Sequence, residues 1–163
     1  MARKGSAAKS KTKVAQGAAM ASPFAMFATG AGGPEVFEHR TIVPATPGPG
    51  EALIRHTAIG LNFIDVYQRS GLYPAPGGHP SILGSEGAGM VEAVGEGVTS
   101  VKPGDRVAYT TPGGAYASHR IIPADRLVRI PSGISDEVAA AIMLKGLTAQ
   151  YLIHDCYKVR EGD

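Results

Sequence analysis

"ILGSEGAGMVEAVGEGV", residues 82–98, decides how the rest of this chain is read. It carries five glycines, and a serine sits between Gly84 and Glu86. Glycine is costly to order, so a chain keeps it where a side chain would collide or where φ must be positive. Gly84, Gly87 and Gly89 are therefore read as structural. They let a strand bend and let a neighbouring backbone come close. A phosphate-cradling loop is the weaker reading, because no complete G-x-G-x-x-G occurs in the sequence.

Working outward, the pattern is that of a turn-rich β fold. The 163 residues include 22 Gly and 12 Pro, and this punctuation disfavours a helical bundle. Residues 23–30 read as a first strand. In 51–61, Ala52, Ile54, His56 and Ala58 alternate with Leu53, Arg55, Thr57 and Ile59, as in a strand with one more apolar face. Short strands follow at 86–94, 105–110, 115–122 and 126–129, separated by "EGVTSVKPG", "TPGG" and "PAD". "AGGPEVF" (31–37) and "PATPGPGE" (44–51) read as rigid turns. In "NFIDVYQRSG" (62–71), Phe63, Val66 and Tyr67 fall at helical spacing and Gly71 ends the run. Helix returns at 135–144 behind the N-cap Ser135, and more loosely over 145–159. The expected fold class is mainly β with flanking short helices, a small and partly open barrel.

Composition narrows the partners. The net charge of +2 hides an asymmetry: residues 1–23 hold five bases and no acid, leaving 11 bases against 14 acids elsewhere. A mildly acidic body argues against nucleic acid as a partner. No apolar run reaches the roughly 18–20 residues of a membrane span. Cys156 is the only cysteine, so an internal disulfide and a cysteine zinc cluster are both excluded, and a reducing, cytoplasmic setting is expected. Residues 1–22 are expected to form a basic disordered extension. Its alternative reading is an organellar transit peptide. His56, His79, His119 and His154 show no metal spacing.

Three stretches are recognisable together: "GPGEALIRHTAIGLNFIDVYQRSGLYP", "LGSEGAGMVEAVGEGVTSVKPGDRVAY" and "AAAIMLKGLTAQYLI". They resemble the N-terminal, GroES-like half of medium-chain dehydrogenase/reductases. The branch is that of the zinc-independent, zeta-crystallin-like quinone oxidoreductases. The resemblance implies a GroES-like partly open β-barrel over 23–133 and a helical connection over 134–163 toward a cofactor-binding domain. That Rossmann domain is absent from this chain. In zinc-dependent relatives a histidine ligand stands where this chain has Ser85, and a cysteine ligand where it has Asn62. A serine hydroxyl is a poor Zn²⁺ ligand beside imidazole or thiolate, so no zinc is expected.

The resemblance further implies NADPH and a small quinone-like substrate, and an NADPH-dependent quinone or enone reductase working by hydride transfer. Asn62 and Tyr67 would line the nicotinamide side. Tyr73 would overhang the cleft, and with Asn62 is the candidate catalytic pair. Lys145 and Thr148 would reach the cofactor's ribose or nicotinamide. Amide, phenol, ammonium and hydroxyl groups all orient a ring by hydrogen bonding without a metal. Each also has a plainer reading: Asn62 as a helix cap, Tyr67 and Tyr73 as packing, Lys145 and Thr148 as helix surface. A homodimer of the full-length form is left open. The alternatives are a non-enzymatic GroES-like binding module, using an exposed apolar surface over 139–153, or an inactive truncated product.

Overall fold

The computed structural model describes residues 22–163. The basic extension read for residues 1–22 lies, apart from Ser22, outside them. Two antiparallel sheets carry the fold. The three-stranded sheet has the order β2-β1-β4, with β1 at Phe24–Ala28, β2 at Phe37–Thr41 and β4 at Ser81–Ile82. The five-stranded sheet has the order β7-β3-β5-β6-β8. Its members are β3 (Glu51–Gly60), β5 (Glu86–Val94), β6 (Arg106–Thr110), β7 (His119–Pro123) and β8 (Val128–Arg129). The sheets do not close, so the mainly β, partly open GroES-like architecture holds. No helix among the described residues is long and apolar enough to cross a membrane.

β3 and β5 form the spine. They pair from Ala52↔Val94 to Gly60↔Glu86, with irregularities at Leu53/Ile54 and His56/Ala58. Their inward residues Ala52, Ile54 and Val91 pack with Val107, Tyr109 and Ile122 into the main core. Gly89 shows why the glycines of β5 are needed. A Cβ there would sit 2.1 Å from the Arg55 carbonyl oxygen of β3. Gly84 has φ +90, and a Cβ on it would press into the Tyr116 ring.

Two helices are laid on this frame. α1 (Phe63–Ser70) starts at the N-cap Asn62 and stops at Gly71, whose φ of 83 is left-handed. α2 (Asp136–Tyr151) starts at Ser135, whose side chain accepts from the Val138 N–H. Small side chains bring α2 close to the sheet: Ala139 and Ala140 pack on Ala88 and Ala108, with Ile130 and Met143 packed against this cluster. Asp136 fixes the start of α2, accepting from Thr57 Oγ1 at 2.6 Å and from Arg106 Nε at 2.9 Å. These donors, the Thr57 hydroxyl first, hold its carboxyl below the usual range.

Four local expectations need correction. Residues 37–41 form β2, although only the turn before them was read. Polar residues with no apolar alternation, Glu38 to Thr41, hid an exposed strand that needs only its pairing with β1. The strand expected from 115 begins at His119. Residues 115–118 instead cross between the sheets: Tyr116 N–H donates to Leu83, Met26 N–H donates to Tyr116, and Ala25 bridges Ala117. The strand expected over 126–129 is only Val128–Arg129, following a 3-10 turn. The helix runs unbroken from Asp136 through Gly146 to Tyr151, then widens into a π-turn over Leu152–Cys156.

His56 is partly buried at the edge of the core. Its Nδ1–H donates to the Ala117 carbonyl at 2.6 Å, and Nε2 accepts from the Tyr109 hydroxyl at 2.9 Å. Both ring nitrogens are satisfied in the neutral form, and burial lowers its pKa from 6.5 to about 4. The unfolded chain therefore binds more protons between those values. His56 contributes stability above about pH 6.5 that is lost as pH falls toward about 4, at most about 3 kcal/mol. Urea titrations across this window should show a His56→Gln chain losing less stability on acidification than the wild type. Equal slopes would disprove the assignment. In the same assay Gly89→Ala should lose roughly 3 kcal/mol, because two backbones must part. Gly133→Ala, with nothing within 4 Å of the new Cβ, should stay within about 0.5 kcal/mol.

Candidate functional site

Two buried carboxylates organise the region where α1, α2 and β5 meet. Glu86 opens β5 and is fully buried. Its Oε1 accepts from Asn62 Nδ2 at 2.9 Å and from the Lys145 ammonium, and its Oε2 accepts from the Leu144 backbone N–H at 2.7 Å. Asp65, in the first turn of α1, is also buried. It accepts from the Asn62 backbone N–H at 3.0 Å, the Tyr116 hydroxyl at 2.9 Å and Ser85 Oγ at 3.3 Å. Burial, then the facing Asp65 charge, pushes the Tyr116 phenol well up, so it stays a donor.

These contacts leave a groove of about 400 Å³ between α1 and α2, lined by Asn62, Phe63, Leu144, Lys145, Thr148 and Leu152. Three of the five candidate residues, Asn62, Lys145 and Thr148, thus meet on one groove. Lys145 is half-exposed, and the Thr148 hydroxyl donates back to the Leu144 carbonyl at 2.8 Å, keeping its lone pairs available. Tyr67 and Tyr73 do not line this groove. They continue its Phe63 wall as an exposed aromatic row, with ring centroids 6.3 Å apart for Phe63–Tyr67 and 5.7 Å for Tyr67–Tyr73. The Tyr73 N–H donates to the Tyr67 carbonyl, which fixes the Pro-rich loop against α1.

A larger hollow of about 510 Å³ lies between β1, β2 and β3, walled by Phe24, Met26, Phe37, Ile59 and Tyr116. Its polar members His56, Thr57 and Ser118 already hydrogen-bond within the protein. It offers a ligand apolar walls without a free directing group, so the smaller groove is the better candidate.

The groove's chemistry is that of hydrogen bonding. The Asn62 amide, the Thr148 hydroxyl and the Lys145 ammonium are the groove's polar groups. An ammonium has no lone pair and repels a dication, so this donor set does not fit Zn²⁺. Among the described residues, no three side chains of His, Cys, Asp or Glu gather as a metal group.

Sequence reasoning missed Glu86, Asp65 and Tyr116 as members of the site. For Glu86 a signal existed: a charged residue inside a glycine-rich, otherwise apolar strand needs a partner. Nothing local marks Tyr116, which reaches Asp65 across 51 positions.

An open antiparallel β scaffold, with a polar groove cut between a capped short helix and a longer one, defines the GroES-like class of catalytic-domain scaffold. The chain belongs to the alcohol dehydrogenase GroES-like domain family, whose pattern matches residues 48–132. It is 61% identical over 133 residues to a quinone oxidoreductase of Pseudomonas aeruginosa, covering 81% of this chain and 41% of the relative. Among solved structures it is similar to the quinone oxidoreductase of Pseudomonas syringae, at a TM-score of 0.82 and 53% identity, covering 86% and 43% of the two chains. It also matches the Escherichia coli quinone oxidoreductase complexed with NADPH, at a TM-score of 0.81 and 46% identity, covering 84% and 42%. The resemblance to the quinone oxidoreductases therefore stands. The chain spans about two fifths of the length of the curated relatives it matches.

Asp65→Asn should destabilise the chain by about 2–3 kcal/mol, because an amide presents a donor to at least one of three donors. Ser85→Ala, removing the longest of the three bonds, should cost about 1 kcal/mol or less. Urea unfolding of both variants checks the order, and the reverse order would contradict the Asp65 assignment.

Proposed function

We propose that this chain provides one wall of the active site of an NADPH-dependent quinone or enone reductase that works without zinc. The observation that carries the reading is the convergence of Asn62, Lys145 and Thr148 on one groove whose donor set suits organic rings and hydroxyls better than a metal. When bound, reduced nicotinamide supplies a hydride to the quinone, which takes a proton from solvent to become hydroquinone while the nicotinamide leaves oxidised. The residues of this chain bind and orient. Asn62 would hold a polar edge of the nicotinamide with Tyr67 on the same side, Lys145 and Thr148 would meet its amide or ribose hydroxyls, and Tyr73 would overhang the cleft near substrate and cofactor. Quinones are already electron-poor, so orientation and hydrogen bonding replace Lewis-acid activation.

A second reading is a non-enzymatic binding module. It is favoured by the apolar surface at the end of α2, where Leu147, Tyr151, Leu152 and Ile153 are each more than 40% exposed.

A chimera separates the two. Residues 24–163 replace the matching segment of the Pseudomonas aeruginosa quinone oxidoreductase, and NADPH oxidation is followed with a simple quinone. The folded chimera should turn over, equally well with and without a strong chelator, and Asn62→Ala should lower kcat by about tenfold or more. A folded but inactive chimera would sink the reductase reading. Chelator-sensitive turnover would sink its metal-free form.

A further inference from the structure

Glu86 is the carboxylate that ties both helices of the groove to β5. Its donors come from the N-cap of α1, from the α2 backbone and from an α2 side chain. It has a single place to lie. Gly60 faces it across the β3–β5 pair, and a Cβ at Gly60 would fall 2.3 Å from Oε1. The carboxylate therefore occupies the volume that a side chain on β3 would need.

No other residue type fills this role. A carboxylate accepts on both oxygens. A glutamine accepts on one side and donates on the other. Whichever way it flips, it sets an N–H against either Leu144 N–H or the Asn62–Lys145 pair. Aspartate is one methylene too short to reach three donors placed for glutamate. The charge matters as well, since Lys145 brings the opposite one. With the Lys145 ammonium paired to Glu86 beneath it, the groove presents N–H donors and no surplus charge. Such a surface suits a neutral carboxamide and sugar hydroxyls, and has no surplus charge for a phosphate.

We propose that Glu86 is the positioning residue of this groove: it aims the Asn62 amide and the Lys145 ammonium at the neutral carboxamide and ribose end of the nicotinamide cofactor. The inference rests on the reductase reading. Glu86 itself touches neither cofactor nor substrate; it acts through Asn62 and Lys145.

Two measurements test it. In the chimera, Glu86→Gln should lower kcat about tenfold or more, while KM for the quinone changes less than about threefold. The primary isotope effect with deuterated NADPH should rise, because misaimed hydride transfer becomes rate-limiting. A purely structural role would lower the thermal midpoint and leave the isotope effect unchanged, which overturns the proposal. A wild-type chimera without activity sinks the reductase reading instead. The second measurement needs neither turnover nor a folded variant. The sequence has a single asparagine, so selective 15N-asparagine labelling gives one unambiguous pair of side-chain amide proton signals. In the wild-type chain these should exchange with solvent at least about tenfold slower than those of exposed Gln150. Equal rates would show that Glu86 does not hold Asn62, and would end the proposal whatever the chimera does.

Discussion

A carboxylate with no exposed surface, Glu86, ties the start of β5 to the beginning of α1 and the middle of α2. Burying an unpaired carboxylate costs several kcal/mol, so its donors offset a cost the fold would otherwise carry. One donor comes from the α1 side of the groove and two from the α2 side. Forming the groove and paying for the buried charge are thus the same event. The rest of the architecture serves this: β3 supplies a glycine opposite, α1 is capped by the residue whose amide is needed, and α2 runs at the height that brings Leu144 and Lys145 level with the strand.

Asp65 does a parallel task one layer away. It binds the α1 N-terminus to the strand through Ser85 and to the inter-sheet crossing through Tyr116. The adjacent residues Ser85 and Glu86 therefore answer to different carboxyl systems. Ser85 donates to one, and Glu86 is the other. The two systems share Asn62, whose backbone N–H belongs to Asp65 and whose side chain belongs to Glu86. This double hold leaves the amide little freedom.

Much of the scaffold was legible because local signals agree with the global fold. β5 spans the residues expected of it, α1 ends at its glycine, and Ser135 caps α2. The places that were not legible are those where pairing is long-range. β2 exists because β1 lies beside it, and residues 115–118 are shaped by Leu83 and Met26, neither of them close in sequence. The groove follows the same division. Asn62, Lys145 and Thr148 stood out by resemblance, and the structure brings them together. The anchor shared by Asn62 and Lys145, Glu86, stands in the quoted stretch with no local mark of its partners, because its significance lies in donors 24, 58 and 59 positions away.

The contact between α2 and the sheet is centred on alanines, and it has a mechanical consequence. Ala139 and Ala140 on Ala88 and Ala108 bring the helix close to the strands, and Ile130 and Met143 are the larger side chains packed against this cluster. Location along that axis falls to two charged pins, Asp136 at one end and Glu86 further along. Losing either pin would leave that part of the helix, and the wall that Lys145 and Thr148 build, held by the apolar contact alone.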